Sequence, residues 1–274
     1  MDSNVDYHIH SIFSDGTMKP SEIVKWAKSK DIMEISITDH DGIDGVHDGI
    51  IAGEALEISV IPGVELAVRF EDEKLGMATD LHMLGYKFDL KNPQLLDVID
   101  RLKKYRKDRN ERLLSVLSDM GYEISYEELL AKCPSGYVGK PVIARVMVDK
   151  GYIGSVNEAF EPGKYLESPE VKGVKREKLS AKEAIDVLAA AGGISVLAHP
   201  MKVKKLGERG SEEFYRNLDS MVRALKIAGL KGLECYHSEH TEEEALRMVE
   251  LAEKYHLHIT RGSDYHGEDR IVRP

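Results

Sequence analysis

Cysteine is scarce in this chain of 274 residues, which contains only Cys133 and Cys235. The two lie far apart in the sequence, and neither belongs to a Cys-x-x-Cys pair. This pattern argues against a framework of disulfides, and it is typical of proteins in reducing compartments. We therefore expect a cytoplasmic protein.

Long apolar runs are also absent. No stretch approaches the roughly 20 apolar residues that a membrane-spanning helix needs. Residues 1–4 lack the basic and then apolar pattern of a secretory signal peptide. The sequence predicts a protein that has no membrane partner.

Positive charge is in deficit, since 38 Lys and Arg residues face 48 Asp and Glu residues, for a formal net charge of -10. This balance argues against a broad electrostatic grip on long nucleic acids. It leaves open a local basic pocket for a small anion.

The apolar content of 42% predicts a globular protein with a substantial core. The length fits one large domain, or one domain that carries an insertion.

Strand-like and helix-like segments alternate near both ends of the chain. Strands are predicted at residues 5–8, 32–38, 60–66, 81–86, 194–198, 232–236 and 256–260. Helices are predicted at residues 20–30, 45–56, 181–191, 211–228 and 241–255. Such alternation predicts parallel strands wrapped by helices, as in an α/β barrel, whose active site lies at the carboxyl ends of the strands.

The middle of the chain breaks this alternation. No clear strand appears between residues 92 and 169, whereas helices are predicted at residues 93–120, 126–132, 141–150 and 155–160. We interpret residues 91–169 as a helical insertion that covers the active site. Residues 1–90 and 170–274 would then form the barrel domain.

The first predicted strand delivers a possible half-site for a metal ion. His8 and His10 are two residues apart, so on a strand they point to the same face. Asp15 follows a short turn and can fold back to offer an oxygen ligand. Taken alone, the pattern is equally consistent with two core histidines and a solvated aspartate.

Further polar residues lie where the other predicted strands end. Together with the first three, they favour a metal site over a purely structural role. The set comprises His8, His10, Asp15, His40, Glu65, His82, His199, Asp264 and His266. Burying so many titratable groups without a cation is costly. One ion takes about four to six donors, so nine ligands indicate two or three ions. Mixed nitrogen and oxygen donors favour zinc, manganese or iron.

The local motifs around these residues resemble those of the PHP (polymerase and histidinol phosphatase) family of phosphoesterases. The motifs are His8-x-His10 with Asp15, Thr38-Asp39-His40, Pro62-Gly63-Val64-Glu65, the strand with His82, Ala198-His199-Pro200 and Gly262-Ser263-Asp264-x-His266. The resemblance implies a distorted (β/α)7 barrel that holds a trinuclear metal site.

The resemblance also implies how the ligands are shared. It assigns one ion to His8, His10, Glu65 and Asp264. It assigns a second ion to Asp15, His40 and His199. Glu65 would bridge to a third ion held with His82 and His266. The helical insertion is similar to the branch with phosphatases of AMP-like and 3',5'-bisphosphate nucleotides, which includes a 5'→3' exoribonuclease acting on short RNA.

This chemistry predicts hydrolysis of a phosphate ester. Clustered cations lower the pKa of bound water, so that hydroxide forms, and they stabilise the attacking and leaving oxygens. Asp15 is a candidate to manage a proton. His199 and His266 are candidates to protonate the leaving oxygen.

Candidate substrate-binding residues lie mostly in the insertion. Arg106, Arg109 and Asn110 lie close together on the long predicted helix, where guanidinium groups suit bidentate contact with phosphate. The alternative is a solvated charged face. Lys140 lies in a segment that resembles the branch's G-R-P-H-x-A motif, but it replaces the arginine, and Val142 replaces the histidine.

Two more candidates, Lys202 and His237, follow later strands. The predicted activity is hydrolysis of a phosphate monoester of a small nucleotide, foremost a 3',5'-nucleoside bisphosphate. Alternatives are a 5'→3' exonuclease on short RNA and a histidinol-phosphate-type phosphatase. A non-enzymatic alternative is a degenerate PHP module with a structural role. No protein partner is implied.

Overall fold

The computed structural model describes residues 4–133 and 135–267. Residues 1–3, on which the expectation about a signal peptide partly rests, lie outside that range. The strands are β1 (Val5–Ile9), β2 (Glu34–Ile37), β3 (Ser59–Asp72), β4 (Met77–Tyr86), β5 (Leu179–Ser180), β6 (Ile194–Leu197), β7 (Gly232–His237) and β8 (His258–Gly262). The helices are α1 (Pro20–Ser29), α2 (Val46–Leu56), α3 (Pro93–Asp119), α4 (Tyr126–Ala131), α5 (Lys140–Asp149), α6 (Pro169–Gly173), α7 (Ala181–Ala190), α8 (Glu212–Ala228) and α9 (Glu242–Lys254).

Seven of these strands form one curved sheet in the order β1-β2-β3-β4-β6-β7-β8, and the short β5 pairs with β3. The two ends of the sheet approach each other just beyond β8. There the amide of His10 donates a hydrogen bond of 2.8 Å to the carbonyl of Tyr265. The sheet is therefore a nearly closed barrel of seven strands, which confirms the predicted fold class.

The direction of β4 differs from the prediction of parallel strands throughout. β3 and β4 form an antiparallel hairpin with a continuous register from Gly63–Tyr86 to Asp72–Met77. β4 also runs antiparallel to β6. The residues between Asp72 and Met77 are too few for the helical crossover that a parallel pair needs. Gly76, at φ +63°, closes this tight turn.

The long helix α3 connects the barrel to the inserted segment. Its first half packs on the barrel through Leu95, Ile99 and Leu102. Its second half, including Leu113 and Leu117, belongs to a separate apolar cluster within the insertion. The helix starts at Pro93 because the Asn92 side chain accepts hydrogen bonds from the first free amides. The division at residues 91 and 169 stays a prediction.

The inserted segment is helical, as the sequence indicates. Among its described residues, 92–133 and 135–169, none belongs to a strand. The helix predicted at residues 155–160 is instead a short 3-10 turn, Glu158–Phe160. No helix of the described chain is both long enough and apolar enough to cross a membrane.

Glu244 in the first turn of α9 should contribute stability that depends on pH. Its carboxylate accepts hydrogen bonds of 2.8 Å from Arg209 Nε and Arg209 Nη2. The bond to Arg209, aided by the Thr241 amide, holds the pKa of Glu244 at about 2. Since the unfolded value is about 4.3, this contribution is complete above that pH and is lost as the pH falls towards 2.

We therefore expect Glu244→Gln to lower the free energy of unfolding by about 1 kcal/mol at pH 7, because the ion pair is partly exposed. The difference from the parent protein should shrink as the pH is lowered through 4 towards about 2. Urea unfolding at several pH values measures it. Glu242→Gln, at an exposed position of the same turn, should show no such trend.

Candidate metal centre

The nine predicted ligands meet at one end of the barrel. β1 carries His8 and presents His10 just beyond its end, while Glu65 and His82 lie within the β3–β4 hairpin. The others follow strand ends. They are Asp15 after β1, His40 after β2, His199 after β6, and Asp264 and His266 after β8. The barrel thus gathers residues that are far apart in the sequence.

Glu65 is the centre of this cluster. Its Oε1 lies 2.9 Å from His82 Nδ1 and 3.0 Å from His199 Nε2. Its Oε2 lies 2.8 Å from His40 Nδ1 and 3.3 Å from His10 Nε2. A single buried carboxylate therefore faces imidazoles from four other segments, which is the geometry of a bridging ligand.

Two aspartates complete the cluster on either side of His10. Asp264 Oδ1 lies 3.3 Å from His10 Nε2 and 3.6 Å from His8 Nε2. Asp15 Oδ1 lies 3.2 Å from His266 Nε2 and 3.6 Å from His40 Nε2. Each carboxylate thus shares a small volume with two imidazoles.

Three groups of donor atoms are close enough to hold a metal ion, each with its atoms within 4.8 Å of one another. One group is His10, Asp15, His40 and His266; another is His8, His10 and Glu65; the third is His40, Glu65 and His82. His199 and Asp264 lie at the edges of these groups, through the contacts with Glu65 and His10.

This grouping differs from the assignment of ligands to ions that the resemblance implies. The resemblance places His199 with Asp15 and His40, and His266 with His82, whereas the structure places these two histidines the other way round. His266 lies with Asp15, because β8 adjoins β1 at the point where the barrel closes. His199 lies with His82, 3.2 Å away, because β6 pairs with β4. Strand order, rather than the local motif, decides which imidazole joins which carboxylate.

The cluster has the donor chemistry that a cation requires. Within the described chain, the buried atoms His8 Nε2, His10 Nε2 and Glu65 Oε2 form no hydrogen bond, although all point into the cluster. Leaving such atoms unsatisfied is costly. Imidazole nitrogens mixed with carboxylate oxygens suit zinc, manganese or iron. The residues present therefore fit divalent ions.

The electrostatics agree with this fit. Burial alone raises the pKa of Glu65, but the imidazoles of His82 and His40 outweigh it and hold that pKa well below its usual range. Burial lowers the pKa of His199 and of His40. Burial alone would also lower the pKa of His8 and of His10, but the carboxylates of Glu234 and Asp264 outweigh it and raise both. Metal ions bind the ionised carboxylate and the neutral imidazole, so binding would displace protons from the cluster.

Glu234, on β7, is a site residue that sequence reasoning missed. Its Oε1 lies 2.9 Å from His8 Nδ1, and its Oε2 accepts a hydrogen bond of 2.6 Å from the amide of His199. Because the carboxylate accepts a hydrogen bond from the Nδ1–H of His8, the Nε2 lone pair of His8 faces the cluster. A lone glutamate inside an apolar strand, Gly232-Leu233-Glu234-Cys235-Tyr236, is the signal that could have revealed it.

Replacing Glu234 with glutamine should weaken metal binding while the fold is kept. The amide retains the shape, but it no longer fixes the tautomer of His8. Loss of such a supporting carboxylate costs about 10–100-fold in metal affinity. Competition with a chelator measures this affinity. Glu253→Gln, an exposed change on α9, should leave it unchanged.

Backbone strain is concentrated in the same place. His199 has φ +26° and Asp264 has φ +56°, both in the left-handed region. Such conformations cost about 1–3 kcal/mol each and persist only where surrounding contacts impose them. Here the Glu234 carboxylate holds the His199 amide. These turns aim two side chains at the cluster.

The cluster opens onto a cavity of about 480 Å³. Seven of the nine predicted ligands line it, whereas His8 and His10 are buried behind them. Lys202 also lines the cavity, and its Nζ lies 2.9 Å from Asp264 Oδ2. Arg145, from α5, also lines the cavity and was not among the predicted residues. Pro141 and Arg145 thus place one helix of the predicted insertion at the cavity.

Two predicted substrate residues do not line this cavity. Arg106 Nη2 lies 2.5 Å from Asp41 Oδ2, and its guanidinium stacks on Tyr137 at 4.0 Å. Asn110 is fully buried and donates a hydrogen bond of 2.9 Å to the carbonyl of Val138. These contacts hold the insertion together and attach it to the barrel, so they give no support to a substrate role.

The remaining three candidates lie around the cavity rather than in it. Arg109 and Lys140 line an adjoining cleft, where Lys140 Nζ lies 3.1 Å from Glu167 Oε1. His237 is buried, and its Nε2 lies 3.5 Å from Asp264 Oδ2. His237 thus lies behind a predicted ligand rather than at the cavity surface.

Comparison with known proteins agrees with this geometry. The family model of the PHP domain matches residues 6–205. The chain is 28% identical to a 5'-3' exoribonuclease of Haemophilus influenzae, over 97% of this chain and 91% of that protein. It is 25% identical to a 3',5'-nucleoside bisphosphate phosphatase of Chromobacterium violaceum, over 96% of this chain and 87% of that protein.

Two further comparisons extend the range of named activities and confirm the fold. A phosphoribosyl 1,2-cyclic phosphate 1,2-diphosphodiesterase of Eggerthella lenta is 26% identical, over 96% of this chain and 94% of that protein. A solved structure from Bifidobacterium adolescentis, described as a candidate metal-dependent phosphoesterase, has a TM-score of 0.80 at 27% identity, covering 97% of this chain and 89% of that one. With its barrel, its cluster and the family match in agreement, the chain belongs to the PHP domain family of metal-dependent phosphoesterases.

Proposed function

We propose that the protein hydrolyses a phosphate monoester of a small nucleotide, foremost a 3',5'-nucleoside bisphosphate, with two or three divalent ions of manganese, zinc or iron. The observation that carries the proposal is the convergence of all nine predicted ligands in one cluster, which opens onto a cavity that is also lined by lysine and arginine side chains. Glu65 at the centre, touched by imidazoles from several strands, supports shared ions.

The proposed ligands are the nine residues named from the sequence, grouped as the donor distances indicate. Bound divalent ions acidify water and stabilise the developing charge on phosphate oxygens. Lys202 and Arg145 line the same cavity, where they can hold a second phosphate group of the substrate. Asp264 and Glu239 keep Lys202 in place, each 2.9 Å from its Nζ.

Three residues are proposed to donate or accept protons. Asp15 Oδ1 and His266 Nε2, 3.2 Å apart, form one acid–base pair at the cavity wall. The carbonyl of Asp264 lies 2.7 Å from His266 Nδ1 and holds the proton there. His199, across the cavity, is the candidate on the side of the leaving oxygen.

The cavity volume favours a nucleotide of modest size. About 480 Å³ lies within the range of small-molecule sites, about 300–1,000 Å³. The positive side chains of Lys202 and Arg145 favour a substrate with a phosphate in addition to the one that is cleaved. A relative named as a 3',5'-nucleoside bisphosphate phosphatase supports the same class.

A second candidate function is 5'→3' exonucleolytic trimming of short RNA. A relative carries the name 5'-3' exoribonuclease. The specific observation in its favour is that nine of the 15 residues lining the adjoining cleft are Lys or Arg, a charge that suits further phosphates beyond the first. Both candidates need the same ligands.

A side-by-side assay of phosphate release in the presence of manganese separates these activities. Its substrates are adenosine 3',5'-bisphosphate, AMP, histidinol phosphate and a short 5'-phosphorylated RNA, and His10→Ala serves as the blank. Fast release from the bisphosphate alone is the expected result. Mononucleotides released from the RNA would move the assignment to an exonuclease. Equal rates for parent and His10→Ala on every substrate would overturn the proposal.

A further inference from the structure

One buried carboxylate beside the metal centre is not among the nine predicted ligands. Asp39 follows β2 and directly precedes His40, and it is fully buried. No lysine, arginine or histidine of residues 4–133 and 135–267 forms an ion pair with it. Burying a charge is costly unless neighbouring groups satisfy it. The contacts of Asp39 therefore indicate what the residue does.

The Asp39 carboxylate is satisfied by the loop that follows β1. Its Oδ1 accepts hydrogen bonds of 2.8 Å from the amide of Ser11 and 2.6 Å from the hydroxyl of Ser14. Its Oδ2 accepts one of 2.6 Å from the hydroxyl of Ser11. This loop carries two of the predicted ligands, and His40, next to Asp39, is a third. Asp39 thus ties together two loops that carry ligands.

Ser14 passes this contact on to His10. The Oγ atom of Ser14 lies 2.6 Å from Asp39 Oδ1 and 3.2 Å from His10 Nδ1. A serine hydroxyl has a single proton, and here the carboxylate accepts it. Towards His10 the same oxygen can then only accept, so the proton of the neutral ring lies on Nδ1. The Nε2 lone pair therefore faces the cluster, where two carboxylates lie 3.3 Å away.

The tautomer of His10 depends on this contact. Another carboxylate oxygen, Asp15 Oδ1, lies 3.9 Å from the same Nδ1, which is too far for a hydrogen bond. The neighbouring ligand His8 differs, since Glu234 contacts its Nδ1 directly. The two histidines of β1 thus receive their orientation in different ways, one from a carboxylate and one through a hydroxyl.

We infer that Asp39 is a positioning residue of the metal centre, which acts on His10 through Ser14 and on the loop of Asp15 through Ser11. The inference rests on the metal centre of the proposed function, to which it adds a residue that contacts neither metal nor substrate. Without the carboxylate, the Ser14 proton is free to turn towards Nδ1. That arrangement favours the tautomer whose Nε2 is protonated and does not bind a cation.

Zinc affinity, measured by competition with a chelator, tests the relay. Ser14→Ala removes only the relaying hydroxyl and should weaken zinc binding about 10-fold. Asp39→Asn should weaken it about 10–100-fold, because an amide accepts on one side only and one serine hydroxyl loses its acceptor. Ser36→Ala is the matched control. It removes a buried hydroxyl on β2 that donates to the carbonyl of Ile61, and it should bind zinc as the parent does.

A spectroscopic signature separates this role from general support of the fold. In zinc-loaded protein labelled with ¹⁵N-histidine, the Nδ1–H group of His10 should give an NMR signal, which His10→Ala assigns by its loss. Ser14→Ala should lose or shift this signal. The Nδ1–H signal of His8, held by Glu234, should stay. Thermal melting confirms that the variants fold, and Ser14→Ala decides alone if Asp39→Asn does not.

The double variant tests whether Asp39 acts through Ser14. In the Ser14→Ala background, Asp39→Asn should cost about threefold less affinity than it costs in the parent protein. Parent-like zinc affinity in Ser14→Ala, or an unchanged His10 signal, would overturn the inference. So would fully additive losses, or an equal loss in Ser36→Ala. Because zinc binding is measured without substrate, failure to release phosphate would affect only the proposed function.

Discussion

Replacing Glu65 with glutamine is expected to abolish turnover, with a fall in kcat on the order of 10³-fold. The carboxylate lies within 3.3 Å of imidazole nitrogens from His10, His40, His82 and His199, and it belongs to two of the three donor groups that could hold an ion. Glutamine keeps the size of the side chain. It removes the negative charge that would balance bound cations, and it replaces one of the two carboxylate oxygens that could act as a ligand.

The measurements are phosphate release and metal content per chain on the same preparation. We expect Glu65→Gln to retain less metal than the parent protein as well as to lose activity. Glu73→Gln is the matched control, since Glu73 lies in the exposed turn of the same hairpin. Normal kcat in Glu65→Gln, with metal content unchanged, would contradict a bridging role.

The second large effect is expected from Gly262→Ala, at the end of β8. A Cβ at this position would lie 2.2 Å from His8 Cβ and 2.4 Å from Glu234 Oε1. Both contacts are closer than atoms can approach, so His8 or its supporting carboxylate must move. Overpacking of a core costs about 1–3 kcal/mol. If His8 is displaced far enough to relieve these contacts, activity should fall by about 10²-fold.

Urea unfolding and phosphate release measure the two parts of this effect. Gly173→Ala is the control, since a Cβ there meets no atom within 4 Å. It should leave activity unchanged and stability the same or slightly higher, because alanine favours a helix more than glycine does. If Gly262→Ala were as active as Gly173→Ala, the close packing behind His8 would not matter to the site.

The positions of the ligands could be predicted from the sequence because they follow strand ends. The two-residue period places His8 and His10 on one face, and the alternation of strands and helices predicts a barrel that collects strand ends. These signals are local. They identify the residues that face the site without saying which of them touch.

Contacts between particular ligands depend on strand order, which the local pattern does not contain. The exchange of His199 and His266 arises because β6 lies beside β4 and β8 closes against β1. The antiparallel direction of β4 has the same origin, since a short turn with Gly76 replaces a helical crossover. Both errors concern the neighbours of a strand rather than its existence.

The roles of charged residues in the insertion were also beyond local reasoning. Arg106 lies on the helix face that was expected to bind phosphate, yet Asp41, from a distant loop, pairs with it and with Arg176 at 2.5 Å. A buried acid with two guanidinium partners is a strong structural contact. Glu234 was missed for the same reason, because its partners, His8 and His199, come from other strands.

Anomalous X-ray scattering from crystals grown with Mn²⁺ tests the central claim most directly. If the nine residues form a shared metal centre, two or three peaks should appear at the carboxyl end of the barrel, at least two of them beside Glu65. One should lie among His10, Asp15, His40 and His266. A single peak away from Glu65, or none at saturating Mn²⁺, would contradict the account.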